Sequence, residues 1–131
     1  MTPWRSDDQG LATLETTLMV VILVPLLFAI LEFGSLTQRW LAQDGVAIQA
    51  ARYAGELGGD RPELRSYVQQ QLRLVGIEPS RVGIEVEPAV VSWREPVRVS
   101  LHTEERVAVP FLFTTSVSVR STAVARGEIS R

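Results

Sequence analysis

The sequence predicts an α+β fold. A long N-terminal membrane-spanning helix continues into a small domain with one short amphipathic helix and an antiparallel sheet of about three to four strands. Three observations carry this. An uncharged apolar run, Thr16 to Leu31, opens the chain's first third. No strong helix breaker follows it until Gly58-Gly59. Beyond Gly76, apolar and polar residues alternate in several short stretches.

Extending the run back to Leu11 adds a single charge, Glu15, and gives a segment of spanning length, since a bilayer core needs about 20 apolar residues. The run is longer than the apolar core of a secretory signal peptide, and "LEFGSLTQRW" after it offers no good cleavage site. As the core helix of a soluble protein it needs burial on every face, which so short a chain is poorly able to supply. A membrane span is therefore the expectation for 11–31. Pro25 lies inside the run, and spanning helices accommodate proline with a kink rather than a stop.

After the run, Leu36, Trp40, Ala47, Ala51 and Ala54 continue an apolar stripe at helical spacing. One helix over about Ala12 to Leu57 is expected, roughly 70 Å long at 1.5 Å per residue. About half of it projects beyond the bilayer. Ala47 and Ala51, and Ala50 and Ala54, are spaced one turn apart, so a neighbouring element can approach closely there. Alanine is also simply the best helix former.

The domain expected at 58–131 is small enough to be marginal by itself, so it leans on its own long helix or on a neighbouring subunit. Asp60 is placed to cap a second helix, with Pro62 in its first turn and Glu63 in the capping-box position. Leu64, Tyr67, Val68, Leu72 and Val75 mark its apolar face, and Gly76 ends it. Three alternating sets follow: Val82, Ile84, Val86; Val97, Val99, Leu101; and Val117, Val119, Ser121, Ala123, Ala125. "VAVPFLF", Val107–Phe113, has no clear period and reads as a packed loop, a bent strand or an exposed contact patch. Glu104-Glu105 reads as a solvated turn.

The chemistry-bearing residues are sparse. There is no cysteine, which excludes disulfides and thiolate sites. The net charge of −2 offers no basic surface to nucleic acid. His102 is the single histidine and has no oriented partner in the sequence. Glu85 and Glu87 share a strand face, the common position of outward charges. No catalytic residue, cofactor or metal is expected.

The stretch "DDQGLATLETT" holds the most informative pair. A polar leader, 1–10, closes on Gly10, and a carboxylate, Glu15, stands five residues later inside the apolar run. This layout resembles a type IV prepilin. "ILEFGSLTQRWLAQDGVAIQAARYAGELG" further resembles the TadE-like minor pilins, or pseudopilins, of the tight-adherence (Flp, type IVb) pilus system. Glu32-Phe33-Gly34 and Ala50-Ala51-Arg52-Tyr53-Ala54 carry that resemblance, and "STAVARGE" at 121–128 is similar to the usual ending of the family. The leader differs in carrying Asp7-Asp8, and Pro25 lies about one helical turn later than the expected proline.

The resemblance implies the following. A prepilin peptidase of the inner membrane cuts between Gly10 and Leu11. The mature subunit lies in the inner membrane with its C-terminal domain outside the cytoplasm, among other pilin-like subunits and the tight-adherence assembly machinery. Glu15 pairs in the membrane with the new α-amine of a neighbour's Leu11. A carboxylate near the edge of a bilayer costs less than the 2.5–3.5 kcal/mol or so at its centre, and a cationic amine offsets what remains. An uncleaved single-pass adaptor, recruiting partners through its outer domain, is the alternative.

Overall fold

A computed structural model describes residues 5–129, with side chains from Gly10 onward. The helix α1 spans Arg5–Leu57 and is followed by α2, Pro62–Leu74. A single 3-10 turn, Pro79–Arg81, leads into β1, Val82–Glu87. Strands β2, Pro96–Val109, and β3, Phe113–Arg126, complete the chain. The sheet is antiparallel in the order β1-β2-β3. The α+β class and every expected element are present.

The helix starts earlier than the sequence suggests, because nothing breaks the chain between the leader and the apolar run. A lone glycine such as Gly10 costs about 1 kcal/mol in a helix interior, too little to end it. Pro25 lies within the helix and does not stop it. The end is set at Gly58 and Gly59, whose φ values of 76° and 119° are left-handed. The Gly59 amide donates back to the Ala54 carbonyl at 2.9 Å, the closing bond of a glycine helix stop. A Cβ on Gly59 would lie 2.2 Å from the Ala89 carbonyl oxygen, so only glycine fits this turn.

The second helix caps differently from expectation. Its N-cap is Arg61, in extended conformation, and its side chain makes no capping bond. Proline at the first helical position forces the residue before it out of the helical region, which moves the cap from Asp60 to Arg61. The Asp60 carboxylate instead accepts two bonds from Arg65, at 3.0 and 2.7 Å. That hydrogen bond, and then the negative charge itself, raise the Arg65 pKa above its ordinary value.

Helices and sheet form two layers. Val46, Ala47, Ala50, Ala51 and Ala54 of α1 pack with Leu64, Val68 and Leu72 of α2 and with Val97, Val99 and Leu101 of β2. The three α2 residues follow at four-residue spacing, and fully burying each contributes about 1.5–3 kcal/mol. The alanine stripe brings helix and sheet together closely: a Cβ on Gly55 would meet the Arg126 carbonyl oxygen at 2.5 Å. The long helix thus supplies one wall of the small domain's core.

The second strand is longer than its apolar alternation indicates. It runs through Glu104 and Glu105 to Val109, so these acids lie mid-strand and not in a turn. Glu105 faces inward and is buried, held by Arg39 of α1 at 2.8 Å with Arg81 at 4.0 Å. A charge on the inner face is tolerated there because a cation arrives from the helix. Past Thr103, the last β2 residue paired with β1, the sheet narrows to a two-stranded ribbon of β2 and β3.

Candidate functional site

The apolar run forms the first half of α1, and it is bare. Leu14, Leu18, Ile22, Leu26 and Ile30 are each more than half exposed, and Val21, Leu23 and Leu27 on other faces are as well. A soluble core helix would hide such side chains; here none of the most apolar window is buried within the rest of the chain. One helix long and apolar enough to cross a bilayer is therefore present, compatible with a single-pass membrane anchor.

Gly10 and Leu11 lie in helical conformation at the start of this run, and the Leu11 side chain is open to its surroundings. Glu15 is exposed one turn further on. Its carboxylate has no partner among the described residues. Thr16 and Thr17 turn their hydroxyls back onto the Ala12 and Thr13 carbonyls, at 2.9 and 2.8 Å, which satisfies them without solvent.

Ala47, Ala50, Ala51 and Ala54 are at most 1% exposed. Their close approach is to the chain's own sheet and second helix. Steps of three, four and, past the exposed Arg39, seven residues continue the covered stripe downwards from there. Gln43, Leu36, Glu32, Ala29 and Pro25 are all buried or half-buried beneath the sheet and its ribbon. Gln43 reaches the sheet backbone: its amide nitrogen donates to the Leu101 carbonyl at 3.0 Å, and its amide oxygen accepts from Thr103 Oγ1 at 3.1 Å.

The other titratable residues do not converge. The His102 ring lies exposed over Gly83, its partner across β1 and β2. Glu85 and Glu87 are exposed on β1, with Arg120 at 4.0 Å from Glu85. Among the described residues no group of three potential metal ligands forms.

The ribbon tip is the feature the sequence left open. Val107 and Val109 are buried as strand residues, and Pro110 to Leu112 turn the chain. Phe111, Leu112 and Phe113 are all exposed, Phe111 by 90%. "VAVPFLF" is thus a strand end and an exposed patch in succession. Arg39, Gln43 and Glu105, which tie α1 to β2, were not distinguishable from solvated polar residues by any local signal.

Comparison with known protein families, with curated proteins and with solved structures gives no match.

Proposed function

We propose that the chain is a pilin-like subunit, a TadE-like minor pilin or pseudopilin, serving assembly of a tight-adherence pilus. The observation that carries this is the pairing of Gly10 with Glu15 at the head of a bare apolar helix. Cleavage after Gly10 creates an α-amine on Leu11. Glu15, five residues in and unpartnered among the described residues, is a suitable counter-charge for such an amine on a neighbouring subunit. Pairing there favours side-by-side assembly, because a charge left alone at the bilayer edge stays costly. The helix dipole adds to the attraction at this end.

In this role the chain sits in the inner membrane, N-terminus in the cytoplasm and sheet domain outside it. A prepilin peptidase acts at the Gly10–Leu11 bond, and other pilin-like subunits and the assembly machinery are its partners. Its activity is structural, with no catalysis of its own.

Intact-mass measurement of the protein from peptidase-containing cells tests this directly. Loss of residues 1–10 is expected, and Gly10→Val is expected to abolish it. An unprocessed terminus in those cells would overturn the proposal in favour of an uncleaved anchored adaptor. Glu15→Ala is expected to leave cleavage intact and to reduce incorporation; normal assembly by that variant would remove Glu15 from the mechanism.

A further inference from the structure

We propose that the tip of the β2–β3 ribbon, Phe111 to Phe113, is a second membrane anchor that dips into the leaflet on the sheet domain's side, beside the spanning helix. This rests on 11–31 being a membrane span; it is independent of cleavage and of pilus assembly.

The ribbon runs down the helix towards the span. From the Arg39–Glu105 contact, four strand residues and two of the turn lead to Phe111, at most about 20 Å at 3.3 Å each. The same descent along α1 from Arg39 reaches Val24 or Pro25, about 22 Å away at 1.5 Å per residue. The two paths meet: Phe111 lines one apolar hollow with Val20, Val21, Val24 and Pro25. Leu31 closes the uncharged run, so the tip lies about 10 Å inside that boundary. Interfacial anchors bury their apolar faces to a depth of roughly 5–10 Å.

The tip is built for that depth. From Val107 to Val119 the ribbon carries no charge; Arg106 and Arg120 bound it. No core residue needs Phe111, Leu112 or Phe113, which are all exposed. Phe111 also occupies a left-handed position, φ 66°, where an aromatic side chain is disfavoured and glycine would be free. Folding alone gives no reason for a phenylalanine there. Depth is limited from above as well. The outer edges of the ribbon are unpaired, and open edges are not tolerated deep in hydrocarbon. Thr114, Thr115 and Ser116 begin the return towards water immediately behind the tip. A phospholipid interface, apolar below and wet above, fits this arrangement.

The cysteine-free sequence allows a clean test. Single-cysteine variants of the full chain, Phe111→Cys and Leu112→Cys, are labelled with an environment-sensitive fluorophore and reconstituted in phosphatidylcholine vesicles. Ile22→Cys reports the span, and Val124→Cys reports the exposed far end of β3. Labels at 111, 112 and 22 are expected to lose emission to acyl-chain nitroxide lipids and to resist aqueous iodide. The label at 124 is expected to do the reverse. Quenching by lipid at 22 with free iodide access at 111 and 112 overturns the tip anchor alone. Protection of 111 and 112 from both quenchers overturns it too, since protein then covers the tip. Absence of lipid quenching at 22 removes the span and the anchor together.

Discussion

Arg39 donates to the Glu105 carboxylate at 2.8 Å across 66 positions of sequence, joining the long helix just above its apolar run to the middle of the longest sheet interface. The carboxylate is nearly buried and the guanidinium is half exposed. The two ends of this bond therefore respond differently to removal.

Arg39→Ala leaves a largely desolvated carboxylate with only Arg81 at 4.0 Å. It is expected to destabilise the sheet domain by about 1 kcal/mol, and more than Glu105→Gln, which keeps the shape and deletes the charge. Urea unfolding of the full chain in detergent micelles, followed by tryptophan fluorescence, provides the comparison. Equal losses, or a double-mutant cycle showing no coupling, would remove this pair as a tether between helix and sheet.

Gln43→Leu keeps the volume of a fully enclosed side chain and deletes both of its hydrogen bonds. The Leu101 carbonyl loses its amide donor and the Thr103 hydroxyl loses its acceptor. A loss of about 2 kcal/mol in the same unfolding assay is expected, because buried polar groups left without partners carry their full desolvation cost.

Ser121 presents the opposite case. Its hydroxyl is buried on the inner face of β3 and has no hydrogen-bond partner among the described residues. Ser121→Ala removes an unsatisfied polar atom and is expected to raise stability by about 1 kcal/mol. A clear loss of stability would show that the hydroxyl has a partner in solution.

Gly59→Ala places a Cβ against the Ala89 carbonyl at a left-handed position. A destabilisation of about 3 kcal/mol is expected from strain and clash together. Gly10→Ala meets nothing within 4 Å inside a helix and is expected to cost no stability, and to add up to about 1 kcal/mol. The pair separates a glycine required by the fold from one that is not.

The parts of the fold visible in the sequence are those written in local periodicity. Leu64, Val68 and Leu72 announce the second helix, and Val117 through Ala125 announce the third strand. Gly58-Gly59 marks the helix end because left-handed backbone has a strong residue preference. What stayed hidden depends on partners far along the chain. Thr103 and Glu105 interrupt the apolar alternation of β2 because Gln43 and Arg39 meet them from the helix. Without that knowledge, adjacent glutamates look like a turn. The alanine stripe could be read as a close-packing surface, but nothing local says which element it meets. The apolar ribbon tip has no period at all, since its surroundings are not a protein core.

One continuous helix forms both the bare apolar run and a wall of the sheet domain's core. Rotation about the helix axis is therefore passed to the sheet through the same element that carries the run. The direction in which the run is turned therefore also sets the direction in which the sheet domain faces. A load along the axis arrives at the alanine stripe as shear, spread over many small contacts rather than concentrated in a flexible joint. The apolar run and the sheet domain thus share one orientation, set along a single helix.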